Sequence, residues 1–229
     1  MTLRLPDVRP PKILVLITLA LLLCTAIFGN LLLKPKLPDA IAIDIKDQPT
    51  LGYSKAVVHV VVFEEPKCSN CRLFTQQIYP KLKTEFIDTQ KITYTVIPVS
   101  FLPGSMPAAV ALLCVYHTDS SYPNAELYFS YLDYLYSHQP EETIDWATTD
   151  ILVGYAEKLS PAISPQGLRK CIDSQNYRTK IQQNTEYGKR IMGGDIATPT
   201  IYVNGIEVKE LNYDSVKDVI ETLLERGGK

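Results

Sequence analysis

The sequence predicts an α/β fold that carries an inserted helical subdomain and follows one hydrophobic N-terminal helix. Three observations predict it. An apolar run, Ala56–Phe63, leads into an amphipathic helical pattern from Arg72 and then into a second apolar run, Lys91–Val99, the order of a βαβ unit. About a hundred residues of helical pattern then intervene, far more than a parallel return needs. A short strand, an Asn-Gly turn, a returning strand and an amphipathic helix close the chain.

With 229 residues, 46% of them hydrophobic, the chain can bury a full core, and a net charge of −2 offers no basic surface for nucleic acid. At the N-terminus Arg4, Arg9 and Lys12 precede an apolar run from Ile13 to Leu33. At about 21 residues this run is long enough to span a bilayer and longer than the apolar core of a typical signal peptide. Residues 1–12 therefore read as a cytoplasmic flank, 13–33 as a transmembrane anchor or signal segment, and 34–39 as a short stem. Cys24 follows Leu23 rather than a small residue, which argues against a lipoprotein signal. Cleavage after Gly29 competes with an uncleaved anchor, but the length of the run and the adjacent Lys34 and Lys36 favour the anchor. The flanking charges favour N-inside, C-outside only slightly.

Beyond the stem, Ala40–Lys46 alternates apolar and polar residues, as a half-buried strand does, and Gln48–Ser54 is a turn region with Pro49 and Gly52. Ala56–Phe63 is apolar on both faces, as expected for a central strand covered on both sides. His59 within it reads as a satisfied core residue rather than a catalytic one. The next helix runs to about Asp88, and Pro80 should kink it. Lys91–Val99 is then a parallel neighbour of the first strand. Ser105–Ser120 reads as a helix with Pro107 in its first turn, followed by helical patterns at Pro123–His138, Thr143–Leu159, Pro165–Ser174 and Asn176–Met192. Tyr128, Tyr131, Leu132 and Leu135 share one helix face, a core pattern rather than a substrate-binding stripe. Thr200–Val203 and Ile206–Lys209 flank Asn204-Gly205 as a hairpin, and Tyr213–Arg226 is the closing helix with Asp214 or Asn212 as its cap. The α/β domain thus comprises 40–102 and 193–227, and the helical insertion 103–192.

The chemistry concentrates at Cys68 and Cys71, a C-x-x-C at the junction of the central strand and its helix. Free N–H groups and the dipole of a helix N-terminus favour negative charge, so a thiolate there has a depressed pKa. Cys68 should be the exposed, attacking sulfur and Cys71, one turn deeper, the resolving one. Two other readings compete. Half a zinc site would need Cys114 and Cys171, which form no second C-x-x-C. A structural disulfide would close a strained four-residue ring, and strained bridges are labile. A dithiol redox site fits best, and no metal or cofactor is expected.

The order of strand, C-x-x-C helix, strand, helical insertion and A-T-P-T-I-Y-V-N-G resembles the thioredoxin fold, and more narrowly the DsbA-like thiol:disulfide oxidoreductases, over residues 40 to 227. The resemblance implies that Cys68 and Cys71 are catalytic, and that Thr198-Pro199 is a cis peptide beside Cys68 with a backbone edge free to pair with substrate. A buried acid that many members carry six residues ahead of the first cysteine is Val62 here. Glu64 and Glu65 stand closer as candidates to tune the thiol, although the rarity of buried Glu favours a solvated loop start for them. Lys67 places a cation beside the sulfur, which would help hold a thiolate. Ser69-Asn70 is neither Pro-His nor Gly-Pro, which implies an intermediate redox poise. Cys114 and Cys171 are either two buried thiols or, as in some members, a second disulfide.

By this resemblance the protein is a disulfide-forming oxidase acting on reduced exported proteins, and a quinone-linked membrane oxidoreductase of the DsbB/VKOR type reoxidises it. It would sit in a bacterial inner membrane, a monomer with its catalytic domain on the periplasmic side. A reductase or isomerase on the same fold and a redox-silent peptide-binding chaperone are the rival readings.

Overall fold

The computed structural model describes residues 12–32, 37–118 and 123–227, with backbone alone at 26–32. Most of the basic N-terminal flank, Leu33 at the end of the apolar run, much of the stem, and the expected end of the 105–120 helix lie outside the described residues. The chain divides into two compact units, Met1–Pro38 and Asp39–Lys229.

The first unit contains α1, Lys12–Leu32, a 21-residue helix without an acidic residue in its first turn. Thr18 and Thr25 return their hydroxyls to carbonyls of the preceding turn, at 2.9 Å to Val15 O and 2.9 Å to Leu22 O. Among the described residues, no helix is long and apolar enough to cross a membrane.

In the second unit a five-stranded sheet has the order β1-β3-β2-β4-β5, with β1 Thr50–Gly52, β2 Val58–Glu64, β3 Ile92–Pro98, β4 Thr200–Val203 and β5 Ile206–Val208. As expected, β2 and β3 are parallel neighbours, and β4 and β5 form the antiparallel hairpin. His59 donates or accepts at 2.6 Å with Thr93, a satisfied strand residue rather than a catalytic one. Between β2 and β3, α2 (Ser69–Gln77) breaks at Ile78 and continues as α3 (Tyr79–Leu82) and a π-helical turn, Lys83–Ile87. Pro80 sits in the first turn of α3, where its missing N–H costs nothing.

Two expectations near the start of this unit are corrected. Residues 40–46 form no strand. Ile43 and Ile45 do pack on the core of Val61, Phe63, Ile97, Val99 and Tyr202, so the alternation correctly marked one buried side. The backbone, however, reaches the sheet through Ile41 N–H to Gly205 O at 3.0 Å, a contact with the hairpin turn and not a ladder. Gly205, at φ +80°, leaves no room for a side chain there, since a Cβ would lie 1.9 Å from Ile41 O. The edge strand is instead Thr50–Gly52, read from sequence as a turn, and it pairs antiparallel with β3. Three residues are too few to show a period.

The insertion contains α4 Met106–Tyr116, α5 Ala125–Ser137, α6 Thr149–Leu159, α7 Pro165–Asp173 and α8 Arg178–Ile191, and α9 Tyr213–Glu225 closes the chain. The third of these starts later than the expected Thr143, because Thr148 is its cap and accepts from Ile151 N–H. Asn212, not Asp214, caps α9 by accepting from Ser215 N–H at 2.8 Å. Tyr128, Tyr131, Leu132 and Leu135 are buried, as core packing requires. Cys114 of α4 and Cys171 of α7 are bonded, which ties the insertion together and removes the second half of any zinc site. Asn184 of α8 reaches the carboxyl end of β3, donating to Pro98 O at 2.9 Å, so the insertion returns to the sheet beside the C-x-x-C.

Candidate active site

Cys68 is the N-cap residue of α2, with extended backbone and no capping bond from its own side chain. Its sulfur is left to face the helix N-terminus. Across the sheet, the Thr198–Pro199 peptide is cis, and the Cys68 thiol donates to Thr198 O at 3.3 Å. Residues 130 positions apart in sequence thus meet at one sulfur. Cys68 is 8% exposed and Cys71 0%, and in this form both are free thiols.

The two sulfurs differ sharply. The Cys71 thiol hydrogen-bonds Cys68 and is the largest influence lowering its pKa, to about 6, with burial opposing and Thr198 and the backbone N–H groups of Cys71 and Asn70 adding to it. Thr198 Oγ1 is buried with no other partner among the described residues, so its hydroxyl is available to the sulfur. Burial pushes Cys71 far above the ordinary thiol range, and its hydrogen bond to Cys68 and the charge of Glu64 push the same way.

Glu64 and Glu65 overturn the expectation of a solvated loop start. They are 2% and 0% exposed. Glu64 ends β2 among aromatic side chains, and it accepts from Tyr136 OH at 3.1 Å and Tyr94 OH at 3.4 Å. Burial raises its pKa to about 8, while the tyrosine hydroxyls pull it down. Glu65 is raised to about 7, again chiefly by burial, and accepts from Lys67 N–H at 2.7 Å. Tyr94 of β3 and Tyr136 of the insertion together enclose the Glu64 carboxyl.

Lys67 does not serve the sulfur in the way expected. Its side chain is buried, and Nζ donates to Pro103 O at 2.8 Å. Ser69 donates both its N–H, at 2.8 Å, and its hydroxyl, at 2.9 Å, to Glu142 Oε2. Asn70 is exposed and contributes its backbone N–H alone. Sequence reasoning missed two further participants, Gln139 and Glu142, in the α5–α6 connection. Gln139 Nε2 donates to Lys67 O, and Arg72 Nη1 donates to Gln139 O at 3.1 Å. Nothing in the Q-P-E-E run signals a partner some seventy residues away.

Comparison with known proteins agrees with this geometry. The family model described as Thioredoxin matches residues 44–222. Disulfide bond formation protein D of Bacillus subtilis (strain 168) is 31% identical over 179 residues, which cover 77% of each chain. The crystal structure of Chlamydia trachomatis DsbA superposes with a TM-score of 0.75 at 38% identity, covering 82% of this chain and 98% of that one. Oxidised BdbD from Bacillus subtilis gives a TM-score of 0.73 at 31% identity, covering 82% and 100%. A C-x-x-C at a helix N-terminus facing a cis Thr-Pro, a helical insertion and these relatives lead to one assignment: the chain belongs to the DsbA-like thiol:disulfide oxidoreductases of the thioredoxin family.

Proposed function

We propose that the protein introduces disulfides into exported proteins through Cys68 and Cys71. The observation that carries this reading is the contact of the Cys68 sulfur with Thr198 O, which puts the more acidic thiol beside a backbone segment that a substrate strand can pair with. A substrate thiolate attacks Cys68 of the Cys68–Cys71 disulfide. The bond between the two cysteines breaks, and Cys71 leaves as a thiolate that burial makes strongly basic. Glu64, protonated at neutral pH because burial raises it, supplies the proton. A second substrate thiolate then attacks the substrate sulfur of the mixed disulfide, and Cys68 departs as a stable thiolate. Two electrons pass to the enzyme and the substrate keeps the new disulfide.

Reduced enzyme requires an electron acceptor, and a quinone-linked membrane oxidoreductase of the DsbB/VKOR type fits that need. We further propose that residues 13–33 anchor the chain in a bacterial inner membrane, with the catalytic unit on the periplasmic side as a monomer. Exposed Ile13, Leu16, Leu19 and Leu22 on α1, with its hydroxyls satisfied internally, support an apolar environment for that helix.

The deciding experiment is the equilibrium reduction potential of Cys68–Cys71. A value toward about −120 mV, the strong-oxidant end, supports the oxidase reading. A value near about −270 mV favours a reductase acting on oxidised exported proteins. Retained thiol oxidation by Cys68→Ala would overturn the assignment of Cys68.

A further inference from the structure

The N-terminus of α2 serves two acceptors. The N–H of Ser69, the first residue of the helix, is taken by Glu142, while the N–H groups of Asn70 and Cys71 favour the Cys68 sulfur as an anion. A carboxylate and a nascent thiolate therefore share one set of backbone donors on adjacent residues. The carboxylate is held there firmly. Its Oε2 also accepts from the Ser69 hydroxyl, and the connection that carries it is fastened on both sides of Cys68, through Gln139 Nε2 to Lys67 O and Arg72 Nη1 to Gln139 O.

We propose that Glu142 is a positioning residue that caps α2 with a negative charge, holds back thiolate formation at Cys68 and so sets a milder oxidant than the C-x-x-C alone would make. The proposal rests on the reading of Cys68–Cys71 as the redox centre. The physical basis is like-charge repulsion. An anion beside a thiol disfavours its ionisation, and a less stable thiolate makes the reduced enzyme less stable and the disulfide a weaker oxidant. Glu64 and Glu65 also couple to the charge on Cys68, but burial keeps both largely protonated at the pH where Cys68 ionises. Cys71 stays protonated, and the Lys67 and Arg72 cations are directed to the carbonyls of Pro103 and Gln139. The helical insertion thereby acts on the chemistry, through a side chain in one of its connections.

The test uses the full-length reduced protein. Cys68 ionisation is followed by thiolate absorbance near 240 nm against pH, and the equilibrium constant with glutathione is measured at pH 7. Glu142→Gln keeps an acceptor for Ser69 and removes the charge. It is expected to lower the Cys68 midpoint by roughly half to one pH unit, and to move the glutathione equilibrium about threefold to tenfold toward reduced enzyme. Glu141→Gln removes a neighbouring exposed charge and should stay within about twofold of the parent protein, as a screened effect would. An unchanged or raised midpoint in Glu142→Gln overturns the proposal, as does an equal shift in Glu141→Gln. If the absorbance step persists in Cys68→Ala, the redox-centre reading itself fails and the proposal with it.

Discussion

Cys68 and Cys71 lie in one helical turn and hold their protons with opposite strength, because one faces N–H donors and a neighbouring thiol while the other is closed off from water. Glu64 is the residue that links this asymmetry to stability. Its pKa is raised to about 8 in the folded protein from an ordinary 4.5, so between those values the folded chain holds a proton that the unfolded chain has released. Stability from this group is greatest below pH 4.5 and falls as pH rises through about 8. Glu64→Gln removes that loss. Urea unfolding of the reduced variant should gain on the parent by on the order of 2–4 kcal/mol between pH 5 and pH 8.5. Parallel stability curves for the two proteins across that range would show that Glu64 is not the buried titrating group. The same substitution should slow disulfide exchange, since Cys71 loses its proton source. His59 and the buried tyrosine face were readable from sequence because burial of apolar neighbours predicts them. The burial of Glu64 was not, because it depends on Tyr136, 72 residues away.

At the scale of elements, the insertion is held to itself by the bond between α4 and α7. Cys114 and Cys171 are separated by 57 residues, and closing a loop of that length stabilises the fold by about 4 kcal/mol in the chain-entropy model. The double variant Cys114→Ala/Cys171→Ala should therefore unfold at a lower denaturant midpoint while keeping Cys68 reactive, since neither cysteine touches the redox pair. A midpoint equal to the parent's would mean that the loop is already restrained in the unfolded state. Helix starts marked by Pro or Asn are found where the sequence puts them, as at Pro165 and Asn212, because a cap is a local interaction. The start of α6 is local in the same way, set by the Thr148 cap, whereas the three-residue β1 has no such signature and is decided by the edge of β3 that it meets.

For the whole molecule, the α/β unit brings the carboxyl end of β2 and the start of β4 to one point, and the insertion covers that point from the side. The proposed oxidase role needs access to both exported substrates and a membrane acceptor, and the proposed anchor at residues 13–33 would supply that proximity. Alkaline carbonate extraction of bacterial membranes should leave the full-length chain in the pellet and release a chain lacking residues 1–36. Release of the full-length chain would reject the anchor. Protease added outside spheroplasts should reach the catalytic unit, whereas protection would reverse the proposed orientation.

The sequence by itself determined the βαβ core, the hairpin, the helical character of the insertion and the C-x-x-C at a helix start. Each of these rests on local periodicity, turn chemistry or a short motif, and such signals lie within a few residues of one another. Tertiary structure alone decided which carboxyls are buried, which cysteines are bonded, that Lys67 turns to Pro103, and that Glu142 shares the helix N-terminus with Cys68. The reason is physical. A side chain's charge state and partners follow from what surrounds it in space, and here those surroundings come from segments tens of residues away along the chain.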